Sequence, residues 1–286
     1  MSRRYRFGLL GHDISYSKSP SIFSILAEIR KIDIDFETID VTPGDLDSAI
    51  DRLKQLDSFS VTIPYKQSML SYMDVLSDNA RTIGAINSVK VENRKLHGYN
   101  TDGTGFIMPL REAGFGGGKI LVLGAGGAAR AVVYALVREY PGAMVLVCGR
   151  NAERITHFVA DIRQRYQIKE KVQGLTFDAL ESSGRFDLIV NCTPVGGATN
   201  PDECPLPDTF KFSSQPVCYD LIYEPVMTVF LRTAEREGCR IIGGLMMLIR
   251  QAVESYGIWT GDDFDRDQVS REIFKRLHHE KKGDVS

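Results

Sequence analysis

Two residues of opposite charge stand where strand-like runs end. SFSVTIPYK closes on Lys66, and GYNTDGTG holds Asp102. A lysine and an aspartate at one substrate hydroxyl or carbonyl can hold and relay a proton. Lysine suits that work because removal from water makes an ammonium release its proton more readily. Taken alone, Lys66 reads as a solvated side chain. Its setting argues for chemistry. Pro64 reads as the start of a helix over PYKQSMLSYMD, and a cation in a first turn opposes the helix dipole. Asp102 is expected both to cap the helix beginning near FIMPL and to orient the lysine.

Other polar residues gather around these two. In GHDISYSKSP, Ser15 and Ser17 lie two apart after a strand, and in an extended segment they point the same way. Two such hydroxyls suit a carboxylate; the alternative is helix capping, for which Ser19 is better placed. Thr62 ends its strand. Asn87 begins the apolar run AINSV and, if buried, must find hydrogen-bond partners.

KILVLGAGGAAR sets strand, glycine turn and helix in the order a dinucleotide site needs. Gly124 permits the tight turn and Gly126 lets the backbone approach a pyrophosphate. Ala129 keeps helix and strand close. The helix start offers free N–H groups to phosphates. The next strand, AMVLVCG, runs into Arg150 and Asn151, with Arg154 a turn later and no acid at the tip. An arginine fork suits a ribose 2′-phosphate, which points to NADP. The alternative is a solvated Arg150, and Glu153 lies between the two arginines.

The elements that must position these groups alternate from end to end. Strands are expected at RFGLL, DFETIDV and SFSVTI, with a hairpin turning at Asn93-Arg94 within INSVKVENRKLHGYN. Helices are expected from Ser19-Pro20 and from Thr42-Pro43. From residue 119 the rhythm is regular: KILVLG, a helix to Tyr140, AMVLVCG, the helix AERITHFVADIRQRY, then FDLIVNC and VCYDLIY. Continuous apolar strands separated by helices imply a parallel sheet covered on both faces. The expected organisation is a nucleotide domain over 104–243 and an α/β domain over 1–103, to which 244–286 returns. The charged tail from His278 is expected to fray.

The 286 residues allow one large domain or two. Lys plus Arg number 35 and Asp plus Glu 37, which argues against a surface for nucleic acid or another polyanion. The five cysteines are scattered without a CxxC and read as reduced thiols. His97 and His157 lack partners at ligand spacing, so no metal site is expected. No apolar run reaches the roughly 20 residues of a membrane span, and the start lacks the pattern of a signal peptide. The expected location is the cytoplasm.

An ordered series of motifs then carries a resemblance. Ser15-x-Ser17 with Ser19-Pro20, Val61-Thr62-x-Pro64-x-Lys66 and Gly84-Ala85-x-Asn87 come first. Gly98-Tyr99-Asn100-Thr101-Asp102-Gly103-x-Gly105, Gly124-Ala125-Gly126-Gly127-Ala128-Ala129-Arg130 and Asn191-Cys192-Thr193-Pro194 follow. Asp220-x-x-Tyr223-x-Pro225-x-x-Thr228 and Gly243-Gly244-x-x-Met247-Leu248-x-x-Gln251-Ala252 complete it. Together they span nearly the whole chain, and the sequence resembles the shikimate dehydrogenases.

The resemblance implies reversible, NADP-linked reduction of 3-dehydroshikimate to shikimate, a step of aromatic amino-acid biosynthesis. It implies two α/β domains, one a Rossmann-type dinucleotide domain, with the active site in a cleft between them. Lys66 and Asp102 would be catalytic. Ser15, Ser17, Thr62, Asn87, Tyr223 and Gln251 would line the substrate site. Ala125, Gly127, Ala128, Thr193 and Gly244 would join the glycine turn and the arginines in holding NADP. Partners beyond the small-molecule substrate are not implied, whether the protein is a monomer or a homodimer. The alternative is a quinate/shikimate dehydrogenase using NAD or NADP. Four places depart from the family pattern: Asp13 for Pro, Phe23-Ser24 for His-Asn, Ser60 for Asn, and Gly149-Arg150-Asn151 for Asn-Arg-Thr.

Overall fold

The computed structural model describes residues 4–168 and 170–283, with side chains at 181 and 279–283 left aside. The chain forms two compact units, Met1–Gly105 with Leu248–Ser286, and Phe106–Met247. The expected boundaries at 103/104 and 243/244 lie a few residues before those of the units, which fall inside helices.

The first unit opens with β1 (Arg4–Gly11), α1 (Ser19–Arg30), β2 (Asp33–Asp40), α2 (Leu46–Leu53) and β3 (Ser58–Val61). It continues with β4 (Val75–Leu76), α3 (Asp78–Ile83), β5 (Ser88–Glu92), β6 (Lys95–Tyr99) and α4 (Asp102–Glu112), which crosses into the second unit. The six strands make one sheet in the order β2-β1-β3-β5-β6-β4. It is mixed: β2 and β3 run parallel to β1, whereas β5 is antiparallel to both β3 and β6. The expected hairpin is present, and Asn93 and Arg94 turn it at φ 53° and 60°. Positive φ at both central residues matches the right-handed twist of the flanking strands.

The second unit holds β7 (Lys119–Leu123), α5 (Gly127–Glu139), β8 (Met144–Cys148), α6 (Ala152–Tyr166), β9 (Val172–Leu175), β10 (Leu188–Asn191), β11 (Val217–Asp220), α7 (Val229–Arg236) and β12 (Arg240–Ile242). Its sheet runs β12-β11-β10-β7-β8-β9, parallel throughout. The order reverses beside β7, the arrangement of a dinucleotide-binding sheet. Both faces are covered: Ile120, Val122, Val145 and Val147 pack into one core, and Leu121, Leu123 and Leu146 into another. That is why these strands read as unbroken apolar runs.

The chain ends in α8 (Leu245–Thr260) and α9 (Arg266–Gly283). Trp259 of α8 stacks on Phe23 at 5.3 Å and lies 4.9 Å from Phe7, while its indole N–H donates to Ser88 Oγ at 2.9 Å. Burying an aromatic of this size contributes roughly 2–3 kcal/mol, so α8 is a structural part of the first unit. The expected frayed tail is helical through Gly283, and residues 284–286 lie outside the described residues.

Three local expectations are corrected. Pro64 does not open an α-helix. Residues 63–67 form turns, followed by a short 3-10 segment, Ser68–Tyr72. The carbonyl of Lys66 accepts the N–H of Ile86 at 2.8 Å, so it is taken up by a distant segment. Ser15 and Ser17 are not in extended chain, because the N–H of Ser17 closes a turn onto the carbonyl of Ile14 at 3.0 Å. Ser19 does not cap α1 through its side chain; its own N–H donates to Ser17 Oγ at 3.2 Å.

Candidate functional site

In the first unit, two loops converge on one cluster. The turn after β3 carries Lys66 and the segment after β6 carries Asp102. Lys66 Nζ donates to Asp102 Oδ2 at 2.6 Å, and the side chains are 15% and 4% exposed. A charge this buried is costly unless paired and hydrogen-bonded. Asp102 has both, since Asn87 Nδ2 lies 2.9 Å from its Oδ1.

Asn87 joins the parts of the cluster. Its Oδ1 accepts the N–H of Thr101 at 2.7 Å, which fixes the orientation of the amide. Its Nδ2 faces Thr101 Oγ1 at 2.8 Å, Asp102 Oδ1 at 2.9 Å and Gln251 Oε1 at 3.0 Å. Two N–H groups face three oxygens, so at least one oxygen is left for another donor. Gln251 is held in turn by Nε2 on the carbonyl of Leu248 at 2.7 Å. Thr101 Oγ1 lies 3.0 Å from both the Gln251 carbonyl and Ser255 Oγ.

This arrangement answers what GYNTDGTG does. Asp102 does not cap α4. The cap-like bond comes from Asn100, whose Oδ1 accepts the Asp102 N–H at 3.2 Å. The Asp102 carboxylate is thereby free to face Lys66 and Asn87. Ser255 and Thr101 were not assigned roles from sequence. A signal was present: Gln251, Ser255 and Trp259 are spaced by four and share one helix face.

Thr62 lies beside the serine loop. A side chain on Gly11 would meet methyls of Ile14 and of Thr62, each at 2.7 Å, so the bare glycine lets the two approach. Ser15 is exposed and Ser17 half-buried. Ser60 is buried, and its Oγ has no hydrogen-bond partner among the described residues.

In the second unit, the glycine turn lies at the end of β7. Gly124 has φ +106°, and a side chain there would press on Thr193 at 3.0 Å and on the Cys192 backbone at 3.3 Å. Gly126 starts α5 with no side-chain cap, and a side chain on it would meet nothing within 4 Å. Its backbone therefore faces open space, and Ala129 is fully buried behind it. Uncapped N–H groups at an accessible helix start are what a pyrophosphate requires, so these residues fit a dinucleotide. Ala125, Gly127 and Ala128 are half-buried around the turn.

Asn151 caps α6 by accepting the Arg154 N–H at 2.8 Å. Arg154 reaches back to the Ala125 carbonyl at 3.5 Å, and Arg150 is exposed. Gly244 is required by packing: a side chain there would meet the Leu221 carbonyl at 2.1 Å. Tyr223 is half-buried in the segment after β11.

Behind this lies a polar tie that sequence reasoning left without a role. Asp220, fully buried, accepts from Thr228 Oγ1 at 2.7 Å, Asn191 Nδ2 at 3.0 Å and the Ile222 N–H at 3.0 Å. Asn191 Oδ1 in turn accepts from Thr193 Oγ1 at 2.7 Å. Burial pushes the Asp220 carboxyl up to about 6 against these bonds. None of the five cysteines forms a disulfide; burial pushes the Cys148 thiol up to about 11.

The parallel sheet, its glycine turn and the buried Lys–Asp pair define an α/β oxidoreductase of the dinucleotide-dependent class. Residues 9–89 match the family model described as the shikimate dehydrogenase substrate binding domain. The chain is 38% identical over 272 residues to the shikimate dehydrogenase (NADP(+)) of Moorella thermoacetica, covering 92% of each. It superposes on a Thermus thermophilus shikimate 5-dehydrogenase, crystallised with NADP(H) and shikimate, with TM-score 0.80 and 30% identity. That match covers 95% of this chain and 99% of the other. A quinate dehydrogenase from Corynebacterium glutamicum in complex with NAD gives TM-score 0.81 at 26% identity over 96% of this chain and 100% of its own. The chain belongs to the shikimate dehydrogenase family.

Proposed function

We propose that this chain catalyses the reversible, NADP-dependent reduction of 3-dehydroshikimate to shikimate in aromatic amino-acid biosynthesis. The observation that carries the reading is the buried Lys66–Asp102 pair, set among Asn87, Thr101 and Gln251. Curated relatives at 32–38% identity carry the name shikimate dehydrogenase (NADP(+)). The first unit, Met1–Gly105 with Leu248–Ser286, serves as the substrate domain, and the second, Phe106–Met247, as the cofactor domain.

The chemistry follows from the side chains. Bound in the second unit, the reduced cofactor would supply the hydride for the ring carbonyl carbon. Lys66 Nζ gives its proton to the oxygen as negative charge develops there. In the reverse direction it takes that proton from the hydroxyl. Asp102 holds the lysine in place and accepts from a neighbouring substrate hydroxyl, as do the spare oxygens around Asn87. Ser15, Ser17 and Thr62 hold the substrate carboxylate through neutral donors. Gly124 to Ala129 would cradle the pyrophosphate, Thr193 and Gly244 would shape the walls, and Arg150 with Arg154 and Asn151 would take the 2′-phosphate. The protein supplies position and proton, and the cofactor the electron pair.

No described helix is long and apolar enough to cross a membrane. The protein works in the cytoplasm on a small-molecule substrate, as a monomer or a homodimer.

Initial rates of shikimate and quinate oxidation, each with NADP and with NAD, test the reading. Fast turnover confined to shikimate with NADP is expected. Comparable quinate turnover, or a preference for NAD, would transfer the chain to the quinate-using branch.

A further inference from the structure

We propose that Asp40, braced by His12, is a positioning residue for substrate binding: it fixes the loop that presents Ser15 and Ser17. The inference rests on the assignment of those serines to the substrate carboxylate.

Asp40 is the last residue of β2, in register with Gly11, the last residue of β1. The loop to α1 departs from that point. The Asp40 carboxylate spans its first three residues. Oδ1 lies 3.1 Å from His12 Nδ1 and accepts the Asp13 N–H at 3.2 Å, while Oδ2 accepts the Ile14 N–H at 3.4 Å. The His12 hydrogen bond above all, then the two backbone N–H groups, hold the Asp40 carboxyl below the usual carboxylate range. It is therefore an anion at neutral pH, and its bonds to the loop are charge-assisted.

The loop needs such a hold. Asp13 sits at φ 53°, in the left-handed region that costs a non-glycine residue energy. Bonds from Asp40 to either side of that residue offset the cost. Ile14 is the hinge point: Asp40 takes its N–H, and its carbonyl accepts from Ser17 N–H at 3.0 Å. Its side chain is buried. Ser15 follows directly and makes no side-chain hydrogen bond among the described residues, so the backbone alone sets its place. The same brace reaches the lysine turn, because the His12 N–H donates to the Ile63 carbonyl at 3.0 Å.

His12, Asp13 and Asp40 also bring three ligand-type atoms within 4.8 Å of one another. Loop N–H groups already occupy the Asp40 oxygens, so the group reads as a brace.

The test is steady-state shikimate oxidation by the full chain. Asp40→Ala is expected to raise the KM for shikimate about 10-fold, with kcat and the KM for NADP within about 2-fold, the signature of lost ground-state binding. Asp40→Asn keeps one carbonyl oxygen for the loop and is expected to recover most of the loss. Wild-type kinetics in Asp40→Ala would overturn the proposal. So would a parallel fall in kcat and both affinities, or an Asp40→Asn no better than alanine. If Asp40→Ala does not fold, His12→Ala carries the test, with a KM about 3-fold higher expected and an unchanged one overturning. A wild-type protein inert toward shikimate would instead sink the functional assignment.

Discussion

Among the described residues, each unit buries one aspartate beyond or at the end of a sheet strand, and the two are held in opposite ways. Asp102 faces a cation at 2.6 Å, with a neutral amide beside it. Asp220 faces neutral donors only, from Thr228, Asn191 and the Ile222 backbone. Hydrogen bonds offset part of the desolvation of Asp220, and its pKa still rises to about 6. The difference separates two uses of a buried carboxylate. With a lysine it anchors a movable proton. With neutral donors it ties loops together.

The comparison breaks first at Lys66. Lys66→Ala is expected to lower kcat for shikimate by about 10³-fold, the scale of general acid–base catalysis. Wild-type turnover in that variant, read as initial rates at saturating NADP, would make Lys66 structural. Asp220 is expected to show in stability instead. Asp220→Ala removes the acceptor shared by the buried Thr228 and Asn191 side chains and the half-buried Ile222 N–H, a loss of about 3 kcal/mol in a urea unfolding series.

The sign of its pH dependence is set by the raised pKa. A carboxyl near 6 in the folded chain and near 3.8 when unfolded binds more protons folded. Its stabilisation is complete below 3.8 and is lost as pH rises through about 6, by about 3 kcal/mol in all. Asp220→Asn is expected to remove that component from the difference in unfolding free energy between pH 4 and pH 7.5. An unchanged slope would mean that the native carboxyl titrates normally.

Two smaller effects sharpen the contrast between a locked cluster and an open turn. A methyl at Gly126 meets no atom within 4 Å, so Gly126→Ala is expected to keep the wild-type Tm. The methyl occupies the space a pyrophosphate would enter, and the KM for NADP is expected to rise about 30-fold. Arg150→Ala removes an exposed charge and is expected to raise the KM for NADP about 10-fold while leaving NAD unaffected. Equal effects on both cofactors would dissociate Arg150 from the 2′-phosphate.

The sequence made the second unit the easier to read. Strands buried on both faces appear as apolar runs, and α6 was legible to the residue because Asn151 caps it. β9, with VQGL, and β12, with RII, escaped, because three or four residues carry no usable period. In the first unit, residue types led to Lys66, Asp102 and Asn87, while local structure misled. Pro64 is a helix-start signal, yet the Lys66 carbonyl bonds to Ile86, a tertiary contact no local rule contains. Asp102 looked like a cap because Asp often is one; Asn100 makes the bond instead. The brace at Asp40 was invisible because its loop partners lie 26 to 28 residues away.

The pairing of Trp259 with Ser88 has a consequence for biosynthesis. A ribosome releases β1 to β6 first, then the whole of the second unit, and only afterwards α8. Until α8 emerges, Asn87 lacks the Gln251 oxygen and Phe7 and Phe23 lack their aromatic cover. The nascent chain can finish its nucleotide-type sheet while the substrate half still waits, since domains tend to fold as units. A message truncated within α8 would thus yield an exposed aromatic surface, a substrate for chaperones and proteases, in place of a slower enzyme.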